Sequence, residues 1–277
     1  MTIVNGRQIR DEIKETLKEG FLNAGSKKTL SIIYVGENSV IDSFVRLKKK
    51  FGEDAGVDVV VHKFKEDIDE GLLIENIKNI QKESDGVVVQ LPLPTNLNQE
   101  SVLSVLDENK DIDLLKETTF KKFLNNETRM MPPVVGAIDE IFQRHSVVLK
   151  NNRIDTKQKI VIVGKGKLVG KPVFVWFMRE GILPVVVGKD DNLREALKDA
   201  DIIISGVGEP NLITEDMIKN GVVLIDVGTS ESAGTIVGDI SRDCESKASV
   251  FSTVPGGVGP ITIAKLFENL YQSVVRS

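Results

Sequence analysis

The chain carries one cysteine, Cys244, and two histidines, His62 and His145. A lone thiol excludes an internal disulfide and a cysteine zinc cluster, and two histidines leave little from which to build a metal site. No apolar run nears the ~18–20 residues that span a bilayer, and Met1–Arg10 lacks the basic-then-apolar layout of a secretory signal. The net charge is −5 and the isoelectric point about 5.3, so the chain has no surplus of positive charge to draw nucleic acid or an anionic membrane. Internal repeats and low-complexity stretches are absent. What is present is ordinary globular material: 277 residues, 41% hydrophobic and 28% charged, enough for two domains and a sizeable core. The class expected is a cytoplasmic α/β protein, an enzyme or a small-molecule binder, with no metal.

The first half alternates short β-branched runs with amphipathic stretches. Leu30–Val35, Val57–Val61 and Gly86–Gln90 have strand length, the last stopped by Pro92 and Pro94. Ser39–Phe51 and Asp67–Glu83 have helical spacing, which gives a βαβ rhythm and a mostly parallel sheet. Asn109–Arg129 reads as polar and irregular, and a helix is expected over Val135–Arg144. The domain boundary is placed between Asp139 and Asn152. The second half repeats the α/β pattern, with strands at Lys159–Val163, Leu183–Val187, Ile202–Ser205 and Val222–Asp226. The final stretch, Thr262–Val275, puts Ala264, Phe267, Leu270, Tyr271 and Val274 on one helical face that can pack back on the first domain.

The run from Gly164 through Gly166 to Gly170 follows a strand and opens a helix, the setting of a dinucleotide-binding turn. Gly170 falls one position late for G-x-G-x-x-G, so a tight turn with no ligand stays open as a reading. The next strand ends at Gly188-Lys189-Asp190-Asp191, where such folds read the adenosine ribose. Acidic residues there favour the free 2′-hydroxyl of NAD, whereas Lys165, Lys167 and Lys189 favour the 2′-phosphate of NADP. Both signs are present, and the choice stays open.

Ile41, Phe44, Lys48 and Phe51 share one helical face, so Lys48 interrupts an apolar stripe. A half-buried ammonium loses protons more readily and becomes useful for proton transfer. The alternative is snorkelling, with the stem packed and the head wet. Gln90, at the carboxyl end of a buried strand, sits where ligands of open α/β sheets bind, or it caps the strand. Lys110-Asp111-Ile-Asp113 adds two carboxylates that are either ligand contacts or solvated turn acids.

These residues, taken with Thr253-Val-Pro255-Gly-Gly-Val-Gly259-Pro260-Ile-Thr262, resemble the bifunctional methylenetetrahydrofolate dehydrogenase/methenyltetrahydrofolate cyclohydrolase family. Gln90-Leu-Pro-Leu-Pro94, Lys110–Asp113, Gly170-Lys-Pro172, Asp226-Val-Gly228 and Val237-Gly-Asp239 fall in the family's order, and the resemblance covers nearly the whole chain. It implies an α/β fold of two domains, a three-layer catalytic domain and a Rossmann-type dinucleotide-binding domain. The first is expected over residues 1–140, completed by the final helix 263–277, and the second over residues 141–262. It implies oxidation of 5,10-methylenetetrahydrofolate to the methenyl cation with NADP, NAD being the alternative, and hydrolysis to 10-formyltetrahydrofolate. It implies Lys48 as the proton-handling residue, Gln90 as its hydrogen-bonded partner and Asp113 as the pterin-binding carboxylate. Phe44, Pro255, Gly256 and Gly257 would contact folate. Gly164, Lys165, Gly166, Lys189 and Thr229 would contact the dinucleotide. A homodimer is the family expectation.

The chain departs from the family mainly around its ligands. Phe44 replaces the usual tyrosine, Ile41 a serine, Leu114 a glycine, Met130–Pro133 a Pro-Cys-Thr-Pro segment, and Gly166 the serine of the nucleotide turn. Phe44 can stack on an aromatic ring but cannot relay a proton. A relative with one activity, or one that binds without turnover, is the competing reading.

Overall fold

The computed structural model describes residues 1–147, 149–150, 153–154, 158–232 and 235–275. They form two compact units, one of Asp11–Pro133 with Ile263–Ser277 and one of Met1–Arg10 with Val134–Thr262.

The first of these is built on three parallel strands, with Thr29–Val35 between Asp58–Phe64 and Gly86–Val89. The central strand is buried on both faces, as its run of Leu, Ile, Tyr and Val demands. Alternation then sorts its side chains. Leu30 and Ile32 join Phe21, Val45, Phe51 and Phe267 in one core, while Ile33 and Val35 join Leu73, Ile77 and Val89 in another. Helices therefore cover both faces, and each large apolar side chain so buried contributes about 1.5–3 kcal/mol. Ser39–Ala55 supplies one layer. Glu70–Ile80 supplies the other, its first turn capped by the Asp69 carboxylate, which accepts the Leu72 N–H at 2.9 Å.

The final helix runs Val258–Val275, starting earlier than its apolar periodicity suggests. Its stripe of Ala264, Phe267, Leu270, Tyr271 and Val274 packs into the core beside Leu17 and Phe21. Phe267 meets Phe51 at a ring separation of 4.8 Å.

One expectation fails here. The polar stretch Asn109–Arg129 contains a helix, Glu117–Leu124. Its charges hide a short apolar face: Thr119 and Phe123 are buried one turn apart, and the Asp111 carboxylate accepts N–H groups just before the first turn. The helices Gly6–Asn23 and Gln99–Ser104 add to the expected elements, the first burying Ile9, Leu17 and Phe21 along one face and the second too short to show a period.

The other unit holds a six-stranded parallel sheet in the order Thr2–Ile3, Ala248–Ser252, Val222–Asp226, Ile202–Ser205, Ile160–Val163, Val185–Val187. The strand order reverses at Ile160–Val163: the chain passes to Val185–Val187 on one side and then crosses back to Ile202–Ser205 on the other, and ligands of open α/β sheets bind beyond such a point. The four residues of that strand are buried, as are those of Ile202–Ser205. This unit takes Met1–Arg10 and begins again at Val134, which corrects the expected limits of 1–140 and 141–262 at those two places. The reason is that Thr2–Ile3 pairs with Val250–Phe251 as an edge strand. The expected boundary zone is helical to Arg144, and residues 148 and 151–152 within it lie outside the described residues.

Candidate active site

The helix carrying Lys48 is fixed at its start by Asn38, whose side-chain oxygen accepts the Ile41 N–H at 3.1 Å. The Tyr34 hydroxyl accepts the Asn38 N–H at 2.7 Å and donates to the Asn38 carbonyl at 3.2 Å, tying strand to helix. Ile41, Val45 and Phe51 turn into the core, Phe44 and Lys48 are half-buried, and Lys49 and Lys50 are exposed. The Lys48 Nζ donates to Gln90 Oε1 at 2.9 Å. The amine is thus held by a protein acceptor, which a snorkelling lysine would not need.

Gln90 follows the strand Gly86–Val89, and its backbone N–H continues the ladder to the Ile33 carbonyl at 2.8 Å. Its side-chain N–H donates to the Leu91 carbonyl at 3.3 Å, which turns the amide oxygen toward Lys48. Burial pushes the Lys48 pKa down, and the Asp113 charge opposes this. Burial pushes Asp113 up, opposed by Lys48. The structure therefore brings Lys48, Gln90 and Asp113 into one interacting set, with Phe44 one helical turn before the lysine.

Asp113 stands between two anchors that sequence reasoning did not separate. Asp111, fully buried, accepts the N–H groups of Leu115 and Lys116 at 3.1 and 2.8 Å. Burial still outweighs those bonds and raises its pKa to about 6. The Ile112 carbonyl accepts Asn269 Nδ2 at 2.8 Å, and the same amide nitrogen donates to the Met131 carbonyl at 2.8 Å. Leu114 then takes φ +56°, the left-handed region where glycine is usual, with its side chain buried. Asn269 did have a signal: an amide set between Leu266, Phe267 and Leu270 on a largely apolar helix.

In the other unit, Gly164 leaves the strand Ile160–Val163 at φ +112°, and a Cβ there would meet the Gly206 carbonyl oxygen at 2.9 Å. Gly170 opens the helix Gly170–Arg179 so close to the turn that a side chain would collide with the Gly164 carbonyl. Beside this turn is a cleft of about 450 Å³, lined among others by Gly164, Lys165, Gly166, Lys189, Asp190 and Asp191. Glycines without room for side chains, at a helix start and a topological switch point, fit a dinucleotide pyrophosphate. Thr229 is exposed and lies outside that lining. Its neighbour Ser230 donates from Oγ to the Gly208 carbonyl at 2.6 Å.

The Asp226-Val-Gly228 and Val237-Gly-Asp239 motifs form one reciprocal lock. Asp239 is fully buried and accepts Ser205 Oγ and the N–H groups of Val207, Gly208 and Glu209 at 2.7–2.9 Å. Asp226 accepts the N–H groups of Gly228, Asp239 and Ile240 at 3.1, 3.1 and 2.9 Å. Burial, with Asp239 nearby, raises the Asp226 pKa to about 7. A side chain at Gly228 would overlap the Asp239 carboxylate, and one at Gly238 the Asp226 carboxylate. Pro255–Gly257 belongs to this unit too. Gly256 takes φ +106° and its carbonyl accepts the Gly6 N–H at 2.9 Å, so Gly6, which a Cβ would drive into Gly257, is bound to that loop.

The catalytic-domain model described as tetrahydrofolate dehydrogenase/cyclohydrolase matches residues 4–113, and the NAD(P)-binding-domain model of the same description matches residues 144–277. The bifunctional protein FolD of Nautilia profundicola is 33% identical over 277 residues, covering 97% of this chain and 95% of that protein. The FolD of an Exiguobacterium species is 31% identical, covering 99% of both. Among solved structures, the bifunctional FolD of Campylobacter jejuni aligns with a TM-score of 0.91 at 30% identity, covering 100% of this chain and 99% of that one. The Trypanosoma brucei enzyme, complexed with NADP and an inhibitor, gives 0.91 at 26% identity, covering 99% and 97%.

Proposed function

From the chain's membership of the tetrahydrofolate dehydrogenase/cyclohydrolase family, we propose that it oxidises 5,10-methylenetetrahydrofolate and hydrolyses the methenyl product to 10-formyltetrahydrofolate. The residue set that carries the reading is Lys48 hydrogen-bonded to Gln90 and coupled to Asp113. A nicotinamide dinucleotide, when bound, supplies the hydride acceptor, and the residues that would hold it are Gly164, Lys165, Gly166 and Lys189 along the cleft.

Asp113 offers a carboxylate to the donor edge of the pterin ring, a pairing that fixes ring orientation. Hydration of the methenyl carbon needs a group that takes a proton from the attacking water. The lowered pKa of Lys48 increases the share of neutral amine able to do so. Gln90 Oε1 accepts one N–H of that amine, leaving its lone pair in a set direction. Collapse of the adduct breaks the bond between the one-carbon unit and N5: the ammonium now on Lys48 gives its proton to N5, and the adduct's hydroxyl, becoming the formyl carbonyl, gives its remaining proton to the freed amine, which passes it to solvent. Protons and electrons balance without a metal. Phe44 presents a ring face to an aromatic part of the substrate.

Phe44 also favours a second reading, in which hydrolysis is slow and the dehydrogenase dominates, since a phenyl ring relays no proton. The homodimer and cytoplasmic location belong to the same proposal. The test is spectrophotometric. Purified protein given methylenetetrahydrofolate and either dinucleotide should form reduced nicotinamide, and given methenyltetrahydrofolate it should bleach the methenyl absorbance. Reduction with neither dinucleotide refutes the dehydrogenase. Bleaching at the uncatalysed rate refutes the hydrolase.

A further inference from the structure

We infer that Asp191 sets the dinucleotide preference of this chain and selects NAD over NADP; the inference rests on the nucleotide-binding reading above. The strand Val185–Val187 lies at the sheet edge directly beside Ile160–Val163, so the loop after it occupies the place where a doubly wound fold meets the adenosine ribose. Asp191 in that loop is not a loosely solvated acid. Its Oδ2 accepts the Gly188 N–H at 2.6 Å and lies 3.2 Å from Lys165 Nζ. The backbone bond and the lysine both hold the carboxylate in its ionised form.

Charge accounting along the cleft points the same way. Its charged lining consists of Lys165 and Lys189 against Asp190 and Asp191, two of each sign. Each lysine is also engaged: Lys165 by Asp191, and Lys189 by Glu209 at 3.4 Å. A dianionic 2′-phosphate placed here would have to pull Lys165 from its partner and then sit beside the released carboxylate. A free 2′-hydroxyl needs neither, since it can donate to Asp191 where it stands. Discrimination then has an attractive part, the hydroxyl–carboxylate bond, and a repulsive part, phosphate against carboxylate. Both members of the pair are about half exposed, so salt and water moderate the repulsion.

The test is direct binding to the full-length protein, independent of turnover. Fluorescence titration with NADH and NADPH is paired with calorimetry using 5′-AMP and 2′,5′-ADP, the fragments that differ only at the ribose. The expected result is tighter binding of the two ligands lacking the phosphate, by roughly 10- to 100-fold, the range of one hydrogen bond to a charged group. Asp191→Ser should shrink or reverse that ratio by strengthening the phosphorylated ligands and weakening the others, and Asp191→Asn should move it the same way by less. Equal or tighter binding of NADPH by the unaltered chain overturns the inference while leaving folate oxidation standing. A uniform loss for both ligands in both variants also overturns it, because that marks a structural role. Binding of neither dinucleotide overturns the nucleotide reading and this inference together.

Discussion

Asp113 and Asp239 are aspartates enclosed in different units, and their surroundings give them opposite uses. Asp239 meets four donors, three of them backbone N–H groups, and its carboxylate is thereby spent on holding the 205–209 turn. Asp113 faces the charge of an amine whose own pKa is lowered by burial. Backbone donors cannot leave, so a carboxylate they saturate is architecture. A carboxylate facing a titratable side chain stays free to trade that partner for a ligand. Asp111, two residues from Asp113, is of the first kind. One short segment thus holds both, and the residue type alone does not tell them apart.

The contrast breaks if the two kinds of site respond alike. Lys48→Met should lower methenyl hydrolysis by about 10²–10⁴-fold, the usual worth of a general base, with the urea midpoint little changed. Unchanged hydrolysis would remove Lys48 from the reaction. Asp239→Ala should do the reverse of a catalytic lesion. It deprives one buried and three part-buried donors of their shared acceptor and should cost about 2–4 kcal/mol of stability, read by urea unfolding, with loss of dinucleotide binding as a consequence of the released turn.

Asp226 sharpens the comparison through pH. Its native pKa, about 7, lies above its ordinary 3.8, so the folded state binds the proton more tightly than the unfolded one. That contribution is complete below the ordinary value and disappears as pH rises through about 7. Stability should therefore fall between about pH 4 and pH 8, by on the order of 3–4 kcal/mol if no other group compensates. Asp226→Asn should flatten the profile, at a lower ceiling because an amide nitrogen would face one of the N–H donors. A flat profile in the unaltered chain would show that Asp226 stays ionised. The smallest effect expected is from Phe44→Tyr, a rise in hydrolysis of less than about tenfold if the missing hydroxyl limits the proton path. No rise would mean the site has repacked around the phenyl ring.

Much of this was legible from the chain. The β-branched runs located the central strands because burial on both faces demands continuous apolar residues, as in Ile160–Val163 and Ile202–Ser205. The half-burial of Lys48 was legible because it interrupts an apolar stripe, but its bond to Gln90 was not, since a snorkelling lysine gives the same pattern. The helix Glu117–Leu124 was not, since Lys121 and Lys122 fill the turn between its buried residues. The edge strand Thr2–Ile3 was not either, because two residues carry no period and the pairing is with a strand nearly the whole chain away. The same distance hid Asn269, whose partners Ile112 and Met131 are recognisable only once the last helix is docked. Reciprocal glycines such as Gly228 and Gly238 read as a motif, but the carboxylates they make room for appear only in three dimensions.

Asn269 has a consequence for how the protein is made. A ribosome releases the segment around Asp113 long before it releases the amide that clamps the carbonyl beside it. The opening residues wait in the same way for Val250–Phe251 before their strand has anything to pair with. Each unit thus holds an early segment that is completed only by residues made much later. A nascent chain stalled before Val258–Val275 would hold the segment around Asp113 without that clamp.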